Sequence, residues 1–296
     1  MAGSSDQIVR AEEFRRLHHE SPVLVLANAW DVVSARIVAS LPGCTAIATS
    51  SAAVAWALGY PDGERIPPAL MFEAVARIAA AVPLAVTADV EAGYGDARGT
   101  AAAVAAAGAV GANLEDGAGD VDAAAGRVRE ARAAVPWLVV NARVDVLLRG
   151  TGTVDEAIER ANTYLEAGAD CAFVPGVSDA ETIHLLAERI NGPLNLLAEP
   201  GTPPIEELER LGVARVSLGS GLASVAYARA AAVAGEALQD GRFEALADRI
   251  PFAELNELFA CRPREADGTG ARRSARGARG AGRPSPSPPS PPSPRP

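Results

Sequence analysis

The feature that most limits what this chain can fold into is a rhythm of short aliphatic runs, each followed by a stretch of helical spacing. The runs are VLVLAN (23–28), TAIATS (45–50), LAVTAD (84–89), GANLED (111–116), LVVNAR (138–143), CAFVPG (171–176), LNLLAE (194–199) and RVSLGS (215–220). Helical patterns fill 31–40, 69–81, 98–107, 122–134, 154–167, 179–190, 204–211 and 222–238, with Asp31 and Asp179 placed as N-caps. Runs that lack polar alternation suit a parallel sheet buried on both faces. Eight strand–helix units therefore predict an α/β fold of the (β/α)8 TIM-type barrel. A doubly wound open sheet is the alternative, but no GxGxxG follows the first run.

The rhythm stops near residue 262. Residues 262–296 hold eight arginines against Glu265 and Asp267, and nine of the 22 prolines. That composition predicts a disordered basic tail. Residues 1–261 then form one barrel domain, with one or two extra amphipathic helices at 241–260. Net charge is −10 in spite of the tail, so the body is strongly acidic, which argues against a nucleic-acid surface. Every basic residue is Arg, which we read as codon composition and not as chemistry. Cys44, Cys171 and Cys261 are far apart and suggest neither a disulfide framework nor a CxxC site. The N-terminal MAGSSDQIVRAEEF lacks the apolar core of a signal peptide, and TAAAVAAAGAVGANL is too short to span a membrane. A cytoplasmic protein is the expectation.

In such barrels chemistry sits at the C-terminal ends of the strands. Here those ends carry Asn28, Ser50, Ser51, Asp89, Glu91, Glu115, Asp116, Arg143, Asp145, Pro175, Gly176, Glu199 and Ser220, while the strand interiors read as almost wholly apolar. Asp89 and Glu91 stand two apart in TADVEAGYG (87–95), on one side of a strand end, and Glu115 ends the next run. Three carboxylates converging in a low-dielectric mouth call for protons or a cation. A hard divalent ion, Mg2+ or Mn2+, suits them, since it keeps several waters and takes one or two carboxylates directly. No His lies near these positions, which argues against zinc. Arg143 offers a planar fork for a carboxylate, or a salt bridge to Asp145 or Glu115. Amides after Ser50, with its hydroxyl, suit an anionic oxygen. The run SSAAVAWALGYPDGE (50–64) reads as a loop over the site, with Trp56, Tyr60 and Asp62 on it. LGSGL (218–222) is a weak phosphate signal that helix capping by Ser220 explains equally well.

Taken in order, NAWD (28–31), TSSAAVAWALGYPDGE (49–64), TADVEAGYG, NLEDG (113–117), NARVD (141–145) and YLEAGAD (164–170) resemble the isocitrate lyase/phosphoenolpyruvate mutase superfamily over about residues 10 to 260. The resemblance implies a (β/α)8 barrel whose last helix is exchanged between subunits of a homodimer, often within a homotetramer. It implies Mg2+ and a small 2-oxo or 2-hydroxy acid, with a C–C or P–C bond made or broken through an enolate. Asp89 is similar to the direct metal ligand, and Glu91 and Glu115 to holders of metal-bound water. Ser50, Ser51 and Ala52 fall where the superfamily binds a substrate carboxylate, Trp56 beside them, and Arg143 where it anchors the anion. Asp62 matches an acid near the reacting group in the mutase branch. Glu91 stands where many relatives carry Asp. The loop LEDGAGDVDAAAG (114–126) has neither the Cys of the lyases' KKCGH-type loop nor the Lys and Asn of the mutase branch. A C–C lyase, decarboxylase or hydrolase is the leading expectation. A P–C mutase or hydrolase and a non-catalytic oxo-acid binder are the alternatives.

Overall fold

The computed structural model describes residues 3–260; the tail expected at 262–296 and Cys261 lie outside the described residues. Nine short parallel strands are found among the described residues. They are β1 (Leu24–Leu26), β2 (Asn28–Ala29), β3 (Ala46–Thr49), β4 (Ala85–Asp89), β5 (Gly111–Glu115), β6 (Val139–Arg143), β7 (Cys171–Phe173), β8 (Leu194–Leu197) and β9 (Arg215–Ser217). β1 and β2 are two halves of one strand broken at Ala27: the first half pairs with β9 and the second with β3, which closes the ring. Asn28 clasps this seam. Its Nδ2 donates to the Thr49 carbonyl at 2.8 Å, and its Oδ1 accepts from the Leu218 amide at 3.0 Å.

The helices are α1 (Ser5–Arg16), α2 (Val32–Ala39), α3 (Ser51–Ala57), α4 (Pro68–Ala81), α5 (Ala97–Ala106), α6 (Val121–Ala134), α7 (Val154–Glu166), α8 (Ala180–Arg189), α9 (Ile205–Arg210), α10 (Gly221–Asp240) and α11 (Phe252–Ala260). The expected caps form. Asp31 makes a capping box with Ser34, and the Asp179 side chain accepts from the Thr182 amide. Two elements depart from expectation. Ser51–Ala57, read as loop, is helical, because its run of alanines has high helix propensity and Ser50 caps it by accepting from the Ala53 amide at 3.3 Å. α1 was not expected at all; it closes the barrel's N-terminal end.

Side chains alternate across each strand. Outward Ile47, Val86, Leu114, Val140, Leu196 and Val216 join the main core under the helices. Inward Leu24, Leu26, Ala46, Ala48, Ala85 and Val139 form a second cluster, plugged by Ala11 and Phe14 of α1. Above that plug the lumen turns polar: Thr87, Asn113, Asn141, Asn195, Arg215 and Ser217 are all buried. The expectation of almost wholly apolar strand interiors is thereby corrected. Small inward neighbours leave room for these groups, and all but Thr87 bond to one another, as with Asn141 Nδ2 to Asn113 Oδ1 at 2.8 Å. No helix among the described residues is long and apolar enough to cross a membrane. Cys44 and Cys171 are free thiols near the strands' N-terminal ends, away from the mouth.

Candidate active site

The register of the sheet sets out the site. Asp89 pairs with Asn113, and Glu115 with Arg143, across three adjacent strands. Asp89 Oδ2 accepts from the Ser51 amide at 3.2 Å and from the Ser51 hydroxyl at 2.8 Å. Helix α3 therefore orients this carboxylate, and Oδ1 accepts no hydrogen bond among the described residues. Glu91 is buried, with a left-handed backbone (φ 51°) that turns it back under the 60s loop. Its Oε2 accepts from the Glu64 amide at 2.5 Å and its Oε1 from the Tyr94 hydroxyl at 3.3 Å. Burial pushes its carboxyl up to about 7; the Glu64 amide opposes this, and the charges of Asp62 and Asp89 add to it.

Glu115 lies 3.0 Å from Arg143, whose Nε donates to Asp145 at 2.6 Å. Burial pushes Glu115 up to about 8 despite that guanidinium, with Asp145, Asp89 and Glu91 acting in the same direction. Burial alone would lower Arg143, but Glu115, Asp145 and Asp89 outweigh it and hold the guanidinium firmly charged. The Phe173 ring lies 5.9 Å from the same group. Both salt bridges expected of Arg143 are thus present. Asp116 points away from the mouth, bound by Arg160 at 3.0 Å and the Tyr164 hydroxyl at 2.8 Å, and anchors the loop after β5.

These groups border a cavity of about 180 Å³ at the strand ends. Of the residues expected in the site, Ser50, Ser51, Ala52, Asp62, Asp89 and Arg143 line it. Glu91 and Glu115 stand behind the wall, within electrostatic reach of Asp89 and of each other. Trp56 is not brought to the site: it is 41 % exposed on α3, because the helix turns its side chain outward where a loop would have left it free to fold over the cavity. The strand-end Pro175 lines it too, and residues not singled out from sequence complete the lining: Asn113 and Ser217 on the floor side, and Leu148, Phe173 and Leu197, which form an apolar wall with Pro175. Asn recurs two residues before the last residue of β5, of β6 and of β8, in GANLE, VVNAR and LNLL, a regularity that marks the polar lumen. Ser220 also lines the cavity and makes no side-chain cap bond to α10. A larger hollow of about 500 Å³ along α10 lies away from the strand ends and is lined by alanines of that helix and by Arg229, Arg242 and Arg249.

Among the described residues no three His, Cys, Asp or Glu side chains converge as a ready chelate. Mg2+ does not require one, since one or two direct carboxylates and several waters suffice. The donor set fits such an ion. Asp89 has an oxygen to spare, and Glu91 and Glu115 are held near neutrality by burial and by acidic neighbours, a state that a nearby divalent charge reverses.

A closed parallel barrel with acids ranged about one guanidinium at its C-terminal mouth is an enzyme architecture. The sequence pattern described as phosphoenolpyruvate phosphomutase matches residues 14–238, and the chain belongs to this family, within the isocitrate lyase/phosphoenolpyruvate mutase superfamily. Members of that superfamily make or break C–C or P–C bonds in small acids. An uncharacterized protein of Mycobacterium tuberculosis (strain ATCC 25618 / H37Rv) is 40 % identical over 253 residues, covering 82 % of this chain and 94 % of its own. The oxaloacetate decarboxylase of Pseudomonas entomophila (strain L48) is 32 % identical over 224 residues, covering 68 % of this chain and 75 % of its own. A crystal structure of a candidate lyase/mutase from Burkholderia cenocepacia J2315 superimposes with a TM-score of 0.81 at 34 % identity, over 87 % of this chain and 98 % of that one.

Proposed function

We propose that this chain is a Mg2+-dependent enzyme that cleaves, or in reverse forms, a C–C bond of a small 2-oxo or 2-hydroxy acid. The observation that carries the reading is the charge layout of the cavity. In about 180 Å³, Arg143 is the single cationic side chain of the lining, set against Asp62 and Asp89, with neutral Ser and Asn side chains and one apolar wall making up the rest. One guanidinium suits one carboxylate of a compact acid. A phosphonate group carries more charge and calls for more cations, so P–C cleavage is the weaker reading. The similarity to an oxaloacetate decarboxylase supports the same side.

Asp89 would hold the ion directly, and Glu91 and Glu115 through water. Held there, such an ion would supply Lewis-acid stabilisation of negative charge growing on the substrate's oxo oxygen. The chain's own residues do the rest. Arg143 binds the carboxylate, its fork held in place by Glu115 and Asp145. Ser50 and the Ala52 amide, which has no acceptor among the described residues, border the same space. Phe173, Leu148 and Leu197 exclude water from the other side. Asp62 lines the same cavity, and partial burial pushes its carboxyl up, with the Gly63 amide and Arg143 opposing and the Asp89 charge adding to the effect; it is the group placed to pass a proton to the carbon that cleavage leaves electron-rich.

A panel of oxo and hydroxy acids, phosphonopyruvate included, tests this by pyruvate or glyoxylate release with Mg2+ and with chelator. Turnover of a C–C substrate that chelator abolishes is expected, and Asp89→Ala should lose at least ~100-fold in kcat, the scale of losing a charge-stabilising group. Full turnover by Asp89→Ala, or turnover of phosphonopyruvate alone, rejects the reading. We also expect a homodimer or homotetramer in which the C-terminal helix is exchanged between subunits.

A further inference from the structure

Arg215 is the one fully buried arginine among the described residues (0 % exposed), and none of the ion pairs there includes it. It starts β9 and crosses the lumen. Its Nε donates to Ser217 Oγ at 3.3 Å, its Nη2 reaches Asn113 Oδ1 on β5 at 3.4 Å, and its Nη1 has no partner. The side chains beside it are neutral: Asn113, Ser217, Asn195 (which accepts from Ser217 at 3.2 Å), and the Cys171 thiol, pushed up to about 12 by burial; the acid whose charge reaches it is Asp89 in the mouth above, with which it forms no ion pair. Below it, burial holds His18 down at about 3, with the Arg215 charge acting the same way. Burial lowers Arg215 itself only to about 10, so it keeps its proton. A lone buried cation is costly to a fold, and replacing it by a hydrophobe commonly stabilises.

The position gives that cost a use. Ser217 and Asn113, the two groups Arg215 holds, both line the floor of the cavity. Residues 215 and 217 are successive inward positions on β9, about 7 Å apart along the strand, so Arg215 rises from the layer below and its guanidinium sits directly beneath the two floor side chains. The mouth above it is rich in acid, with Asp62, Asp89, Glu91 and Glu115 against Arg143. A site so charged draws a divalent cation and repels an anionic substrate. We propose that Arg215 is a positioning residue whose unpaired charge under the barrel floor draws the anionic end of the substrate downward, with Asn113 and Ser217 between them. This rests on the oxo-acid reading above.

The two ligands should then respond with opposite sign. Removing the charge weakens anion binding and leaves Mg2+ binding as tight or tighter, whereas simple damage to the fold weakens both. Calorimetric titration of wild type, Arg215→Met and Arg215→Lys with Mg2+ alone, then with oxalate at saturating Mg2+, separates the cases. Arg215→Met should bind oxalate about tenfold more weakly with Mg2+ affinity kept, the scale for unit charges this far apart at an intermediate dielectric. Arg215→Lys should stay within about threefold of wild type. Parallel loss of both ligands, or no change in either, overturns the proposal. Should Arg215→Met fail to fold, Arg215→Lys decides alone: retained oxalate affinity supports the charge, and a tenfold loss assigns the role to hydrogen bonding and overturns it. Wild-type protein that binds no oxalate with Mg2+ rejects the oxo-acid reading and this inference together, while wild-type binding with an indifferent Arg215→Met rejects the inference only.

Discussion

Glu91 and Glu115 connect proton binding to metal binding residue by residue. Burial holds them up at about 7 and about 8, above the 4.5 of an unperturbed Glu. The fold therefore favours their protonated forms. Their contribution to stability is fully present below pH ~4.5 and is lost as pH rises through about 7 to 8. Mg2+ competes with the same protons, so its affinity should climb over that window. Without Mg2+, the melting temperature should fall between about pH 6 and pH 9; saturating Mg2+ should flatten the fall, and Glu115→Gln should make it shallower without metal. Melting curves that ignore both pH and Mg2+ would show that the two carboxyls are not coupled to a metal site. At this scale the acids were legible in sequence, because Asp89, Glu91 and Glu115 cluster where parallel strands end. Arg215 was not, since RVSLGS reads as an apolar run with polar ends. The lumen it enters is assembled by strands on opposite sides of the ring, a relation no single run contains.

Helix α1 and helix α3 show what element-level patterning leaves out. The buried face of α1 consists of Gln7, Ala11 and Phe14, too sparse a stripe to stand out in SDQIVRAEEFRR. Its partners lie far along the chain: Gln7 Nε2 donates to the carbonyls of Ala105 at 2.8 Å and Ala109 at 2.9 Å, and Phe14 fills the lumen's lower end. Phe14→Ala should cost about 3–5 kcal/mol in urea unfolding, because it empties a site that the surrounding strands cannot collapse into. Turnover of the folded variant should change little, as the plug lies at the opposite end of the barrel from the mouth. A loss below about 1 kcal/mol would mean that α1 merely rests against the barrel. By contrast, the eight strand runs and the intervening helices were legible, because burial on both faces forces their aliphatic character. α3 was missed because the run containing it ends in a loop, residues 58–67, whose Gly and Pro obscure the alanine-rich helix before it.

For the whole molecule, the question is what the C-terminal segment covers. α10 and α11, with the turn at 244–248, present Val225, Leu238, Phe243, Phe252 and Phe259 to solvent, and Leu238 and Phe252 are 86 % and 82 % exposed. α11 is not wholly detached: Arg36 of α2 donates to the Leu258 carbonyl and stacks over the Phe259 ring at 4.8 Å. On the outer side of the first strand, Val25 is itself 39 % exposed. Scattered exposed apolar side chains need no explanation, but a segment that presents them along its length is what the proposed exchange between subunits requires. A two-fold exchange would satisfy it, because each subunit's segment meets the same surface on the other and the contact closes without leaving a free face. Light scattering behind size-exclusion chromatography should give a mass of two or four chains. The double substitution Phe243→Asp, Phe252→Asp should lower it to one, since burying carboxylates in place of aromatic rings carries a desolvation penalty. If wild type elutes as a monomer at micromolar concentration, the segment covers nothing in a partner. If the double variant keeps the wild-type mass, association runs through another surface, and the exchange of the C-terminal helix is rejected.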